Sequence, residues 1–113
     1  MASIFDAVAE PVRRRILDLL RERPRSVNEL VEMLGISQPN ASKHLRVLRE
    51  AGLVRVRRDA QRHWYELSPD PLAEIDAWLE SYRQLWNARF DRLDAYLQEL
   101  QAEEETDDDE GEI

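Results

Sequence analysis

The sequence contains no cysteine. That absence excludes disulfides, thiolate metal ligands, thiol-based sensing and cysteine nucleophiles. Glycine is scarce, with three in 113 residues, so a glycine-rich phosphate loop has nowhere to form, and no GxSxG elbow occurs. The two histidines, His44 and His63, lie far apart, and neither has an Asp/Glu/His cluster at ligand spacing. Structural roles are expected for both, and no metal or other cofactor. No apolar run approaches the roughly 18 residues of a membrane span. The opening MASIFDAVAEPVRRR lacks the cationic and apolar regions of a secretory leader. Cytoplasmic residence without membrane contact is the expectation, and an enzyme is not.

Lysine is nearly absent as well: 15 of the 16 basic residues are arginine. The formal charge is -8, which taken whole opposes binding to phosphate. The charge is unevenly placed, however. Residues 103–113 (EEETDDDEGEI) hold eight acids and no base, leaving residues 1–102 neutral with 16 of each sign. Between Arg13 and Arg62 there are 13 basic and six acidic residues, so this window is +7. Composition therefore suggests one folded domain over 1–102 and an acidic, disordered tail over 103–113. The tail is either a solubilising end or a competitor of phosphate for the arginine-rich middle.

Periodicity supplies the elements. Ile4, Phe5 and Val8 suggest a short opening helix. Pro11 suits a first helical turn, and Val12, Ile16, Leu19 and Leu20 continue a helix to about Arg23, ended by Pro24. Ser26-Val27-Asn28-Glu29 reads as a capping box before Leu30, Val31 and Leu34. Gly35 fits the left-handed position after that helix. Ser37 caps a further helix, about Gln38 to Ala51, with Ala41, Leu45 and Leu48 on one stripe and Gly52 at its end. Helix, short turn, helix is the helix-turn-helix layout. The period then becomes two over 53–57 and 63–67, predicting a hairpin with a polar tip at 58–62.

Asp70 and Pro71 predict the start of another helix. Leu72, Ile75, Leu79, Tyr82, Trp86, Phe90, Leu93, Leu97 and Leu100 then form a seam with steps of three and four. A helix over 71–101 would be roughly 46 Å long, too long and too apolar for one small domain to cover. Trp78, Leu85 and Tyr96 widen its apolar surface. A partner helix, most simply from a second copy, accounts for it. Two shorter helices broken near Asn87 are the alternative. The expected fold is mainly α with a small β-hairpin wing: a winged helix-turn-helix with a long C-terminal dimerisation helix.

The second helix of the pair carries the chemistry. Its first turns present Gln38, Asn40, Ser42 and Lys43, where a recognition helix meets base edges. Gln and Asn can pair with adenine, and Lys with guanine. Ser37, Arg46 and Arg49 on the helix, and Arg57, Arg58 and Arg62 on the hairpin, are candidate contacts to the DNA backbone. The hairpin arginines also protect an edge strand by charge. Of the run Arg13-Arg14-Arg15, Arg13 and Arg14 oppose the dipole of the helix they open. Pairing with Asp6, Glu10 or an acid of a partner is expected for them, rather than phosphate.

The stretches FDAVAEPVRRRILDLL, SVNELVEMLGISQPNASKHLRVLREAGLV and RHWYELSP together resemble the ArsR family of winged helix-turn-helix bacterial regulators over about residues 4–101. The resemblance implies base reading by Gln38, Pro39, Asn40, Ser42 and Lys43, and a wing at 57–62. It implies a dimer interface from Ile4, Phe5 and Val8 with Leu79, Tyr82, Trp86, Phe90, Leu93 and Leu97. It further implies a homodimeric, often autoregulating repressor of double-stranded DNA with an inverted-repeat operator. Metal-sensing members carry a C-x-C pair where this chain has Ser26 and Asn28, and others place Asp and His on the last helix, where Asp76 has no histidine beside it. A metal-independent branch is implied, with an unidentified small-molecule or protein effector. The competing reading is a helix-turn-helix scaffold that docks a protein through its long apolar helix.

Overall fold

The computed structural model describes residues 3–111, with side chains described for 3–104. The order is α1 (Ile4–Ala9), α2 (Pro11–Glu22), α3 (Val27–Leu34), α4 (Gln38–Glu50), β1 (Val54–Asp59), β2 (Arg62–Leu67) and α5 (Leu72–Gly111). The chain divides into two compact units, Met1–Asp76 and Ala77–Ile113.

Local signals explain the short helices. Ser3 caps α1 and accepts from the Asp6 N–H at 3.0 Å, while the Asp6 carboxylate accepts from the Ser3 N–H at 3.4 Å. Pro11 opens α2. Ser26 caps α3 by accepting from the Glu29 N–H at 3.2 Å. The reciprocal half of the box expected there is not made. The Glu29 carboxylate instead accepts from Arg23 at 2.7 Å, because a charge-assisted bond outcompetes a neutral N–H. Gly35 adopts φ +66 after α3, a conformation that disfavours any side chain. Ala51 caps α4, and Gly52 follows with φ +79.

The hairpin strands are longer than the alternation suggests. The antiparallel register runs from Val54 opposite Leu67 to Asp59 opposite Arg62. Only Ala60 and Gln61 remain as the turn. The apolar pattern stops at Val56, but a ladder needs backbone partners, not apolar side chains. A two-residue connection demands positive φ, and Ala60 supplies it at +56. Leu53 lies outside the strand and is fully buried. Its N–H donates to the Leu48 carbonyl at 3.0 Å, and its carbonyl accepts from the Ser68 N–H at 2.8 Å.

In the first unit Ile16 and Leu20 of α2, Leu30 and Leu34 of α3, Leu45 and Leu48 of α4, and Leu53 and Val54 share one core. Full burial of such side chains contributes about 1.5–3 kcal/mol each. Ile4 joins this core at 5 % exposure and Val8 packs against it, whereas Phe5 is exposed. Among the described residues one charged side chain is also buried, that of Arg25 at 5 % exposure. Its backbone exchanges both hydrogen bonds with Tyr65 of β2, at 3.1 and 2.8 Å. Its guanidinium donates to the Leu19 carbonyl at 3.1 Å and to Glu22 at 2.8 Å, and lies 3.8 Å from Glu29. The end of α2, the start of α3 and the wing thus meet at one residue, the helices through its side chain and the wing through its backbone.

Arg13 and Arg14 find carbonyls instead of the expected carboxylates. Arg13 donates to the Ala7 and Asp6 carbonyls, both at 2.8 Å. Arg14 donates to those of Val8 and Ala9, at 2.8 and 3.1 Å. These are the orphan acceptors of the α1 C-terminus, where a cation is favourable. Arg13 also lies 3.3 Å from Nδ1 of His44 on α4. Arginine can only donate, so Nδ1 accepts and the ring proton sits on Nε2. Desolvation and the nearby Arg13 charge hold the His44 pKa below its ordinary 6.5.

In the second unit α5 passes through Asn87 without a break and continues to Gly111. It starts at Leu72, two residues after the expected cap at Asp70. The N–H groups of Leu72, Ala73 and Glu74 donate to carbonyls three residues back, a tight first turn common at helix ends. The backbone of residues 103–111 is helical, where composition points to disorder. Glutamate is a good helix former and lets the stretch extend α5. Glu112 and Ile113 lie outside the described residues.

Two outcomes follow. Arg25→Ala should destabilise the fold by about 2 kcal/mol in urea denaturation, the scale of charged hydrogen bonds lost from a buried group. Arg21→Ala, at an exposed neighbour, should change little, and equal effects would refute the role of Arg25. For His44 the depressed folded pKa means that the unfolded chain binds more protons just below pH 6.5. Stability is therefore full above pH 6.5 and falls as pH drops through the lower folded pKa. His44→Gln should flatten that segment of a stability-pH curve while leaving the carboxylate region near 4.5 in place.

Candidate nucleic-acid interface

The α4 helix is two-faced because its apolar residues recur at helical spacing. Ala41, Leu45 and Leu48 are buried, which fixes the helix rotation and turns the polar positions outward. Gln38, Pro39, Asn40, Ser42, Lys43, Arg46 and Arg49 are all exposed. Pro39, Ser42, Lys43 and Arg46, at steps of three, one and three, line one shallow depression. The side chains of Gln38, Asn40, Ser42, Lys43, Arg46 and Arg49 make no hydrogen bond or ion pair among the described residues. Their donors and acceptors are open to a ligand. Ser37 is different: its hydroxyl accepts from the Asn40 N–H at 3.3 Å and serves the cap.

The wing divides its arginines. Period-two alternation puts Arg55, Arg57 and Asp59 on one face with Glu66, Trp64 and Arg62 opposite them. Glu66 accepts from Arg57 at 2.6 Å and from Arg55 at 3.3 Å. The Arg57 hydrogen bond is the main reason that its carboxyl lies below the ordinary carboxylate range. Arg57 also stands 3.9 Å from Asp59. Arg58 and Arg62, at the tip, have no ion pair among the described residues. Gln61, Arg62 and His63 line a groove with Ser26, Val27, Asn28 and Glu29, so the wing tip approaches the α3 N-terminus.

All the expected base-reading residues thus share α4, and Arg46 and Arg49 continue the same polar side. Arg57 is placed on the wing but is already paired. Sequence reasoning passed over Arg25 and Glu66. Glu66 is the lone acid of the second alternating segment, and the hairpin register, once known, sets it opposite Arg55. Arg25 carries no comparable signal, because a third arginine after Arg21 and Arg23 looks like more surface charge. The N-terminal interface residues separate: Ile4 is committed to its own core, and Phe5 faces outward. Tyr82, Trp86, Phe90, Leu93 and Leu97 are exposed on α5, with Leu79 half-buried. Among the described residues no group of three or more His, Cys, Asp or Glu is placed to hold a metal. No described helix is long and apolar enough to cross a membrane.

The chain was compared with known proteins. Residues 10–56 match the model of the arsR family of bacterial regulatory proteins. An HTH-type transcriptional regulator of Mycobacterium tuberculosis is 44 % identical over 75 residues, 66 % of either chain. The transcriptional repressor SdpR of Bacillus subtilis is 32 % identical over 82 residues, covering 73 % of this chain and 91 % of SdpR. A crystal structure of an ArsR family transcriptional regulator superposes with a TM-score of 0.65 at 30 % identity, over 74 % of this chain and 87 % of that one. A solution structure from Mycobacterium bovis, described as a homodimeric winged helix-turn-helix DNA-binding domain, gives 0.56 at 31 % identity over 69 % and 72 %. These relatives are named as regulators or repressors and not as enzymes. With α3 and α4 as the helix pair and the β1–β2 hairpin as the wing, the chain belongs to the arsR family of bacterial regulatory proteins and has its winged helix-turn-helix fold.

Proposed function

We propose that the chain is a homodimeric transcriptional repressor that binds double-stranded DNA at an inverted repeat and acts by occluding a promoter in the cytoplasm. The observation that carries this reading is the α4 surface: base-pairing side chains with no internal partner, on a helix whose rotation is locked by a buried stripe. Gln38, Pro39, Asn40, Ser42 and Lys43 meet base edges. Ser37, Arg46, Arg49, Arg58 and Arg62 meet phosphates and position the helix without reading sequence. The repressor relative supports the direction of regulation.

The exposed stripe Tyr82, Trp86, Phe90, Leu93 and Leu97 supports a second copy as the partner, as does the homodimeric neighbour. Phe5, exposed on α1, is a further residue assigned to contact with the second copy. Two-fold symmetry sets two α4 helices about one DNA turn apart, or a multiple of it. Ser26 and Asn28 offer no thiolate, and α5 has no histidine. Release is therefore assigned to a small molecule or a partner protein, not to a metal.

Gln38→Ala and Ser42→Ala should each cost roughly 1–3 kcal/mol on the operator and little on random duplex. Arg58→Ala should weaken both alike and lower the salt slope by about one. Fluorescence anisotropy across a salt series reads both, and equal effects of the two classes on both DNAs would refute the assignment. Phe90→Glu should convert the dimer to a monomer in sedimentation velocity and abolish operator binding. Phe90 is 61 % exposed in the single chain, so its own fold should survive.

A further inference from the structure

One face of the wing carries charges of both signs. Arg55, Arg57 and Asp59 lie on β1, opposite Glu66, Trp64 and Arg62 of β2. One carboxylate, Glu66, takes the Nε–H of both Arg57 at 2.6 Å and Arg55 at 3.3 Å. Its side chain is only 19 % exposed, while those of Arg55 and Arg57 are 71 % and 52 % exposed. The carboxylate is mostly shielded and bonded by two guanidinium groups. The tip arginines, Arg58 and Arg62, are free of ion pairs among the described residues. Four arginines of one hairpin therefore fall into two held and two available.

We propose that Glu66 sets the wing's affinity for DNA backbone by holding Arg55 and Arg57 away from phosphate, so that only Arg58 and Arg62 contribute, and that it thereby protects operator selectivity. The inference rests on the DNA-binding reading above. A phosphate oxygen and a carboxylate oxygen compete for the same guanidinium donors. An isolated surface ion pair stabilises a fold little, so fold stability alone does not account for a covered carboxylate between two arginines. The two complexes respond differently to released charge. On random duplex nothing fixes the protein's orientation, so any freed arginine can find a phosphate and displace counterions. On the operator α4 fixes the docking through base edges, and a freed arginine gains a contact only where the backbone happens to pass. Loss of Glu66 therefore strengthens non-specific binding more than specific binding.

The full chain carrying Glu66→Gln is compared with wild type on operator and random duplex across a salt series. Expected for Glu66→Gln is a salt slope on random duplex steeper by about 1 to 2, about tenfold tighter random binding near 0.1 M salt, and a smaller operator-to-random ratio. Arg55→Ala/Arg57→Ala should keep the wild-type slope, because those two make no phosphate contact, and adding it to Glu66→Gln should cancel the gain. Glu32→Gln, on exposed α3 surface, removes the same charge elsewhere and should give no comparable steepening. The proposal is overturned if Glu66→Gln weakens binding or leaves the slope unchanged. It is equally overturned if Arg55→Ala/Arg57→Ala flattens the slope as Arg58→Ala does. The arginine double variant reads this without altering Glu66, so a folding defect of Glu66→Gln does not shield the idea. Wild-type binding to both duplexes with no Glu66 effect refutes this inference alone. Failure of wild type to bind any duplex refutes the DNA reading with it.

Discussion

The buried guanidinium of Arg25 is the constraint on which the arrangement of the first unit depends. A charge in a core is tolerated only when its donors are matched. Here a carbonyl from the end of α2 and carboxylates from α2 and α3 match them. The same residue's backbone pairs with β2. The helices α2 and α3 and the wing are therefore referenced to one point. A recognition helix is useful only if its angle to the wing is set, and this junction, with the Leu53 backbone bonds between α4 and the hairpin's end, sets it.

Arginine is used in three distinct ways by the same fold. Arg13, Arg14 and Arg25 complete the backbone hydrogen bonding of helix ends. Arg23, Arg55 and Arg57 are tied to carboxylates. Arg46, Arg49, Arg58 and Arg62 remain uncommitted among the described residues. The +7 window between Arg13 and Arg62 thus overstates the charge available to phosphate. What counts is the set of cations in that window left over after internal pairing, and apart from Arg15 and Arg21 on α2 that set lies on α4 and the wing tip among the described residues.

Most of the short helices were legible, because each is bounded by residues with one structural use. Ser26 and Ser37 cap, Pro11 opens, and Gly35 and Gly52 take positive φ. The buried stripe Ala41, Leu45 and Leu48 was legible from spacing, and with it the outward face that carries the candidate base contacts. The hairpin's extent was not, because Arg58, Asp59 and Arg62 join the ladder through backbone groups that leave no hydrophobic trace. The start of α5 shifted because Asp70 and Pro71 formed a turn in place of a cap. Glu29 was read as half of a capping box, and Arg23 took its carboxylate.

By itself the sequence determined the order and kind of the elements, the absence of thiol chemistry, and which helix face could meet DNA. These depend on neighbours within a turn or two, where side-chain spacing and backbone preference act directly. Only the tertiary structure decided which arginines are structural, which are held, and which are free. A guanidinium can satisfy a carbonyl, a carboxylate or a phosphate equally well, so its role depends on which acceptor folding brings within about 3 Å. Arg25 and Arg57 look alike in the sequence, and their partners, brought close by α2, α3 and β2, make them different.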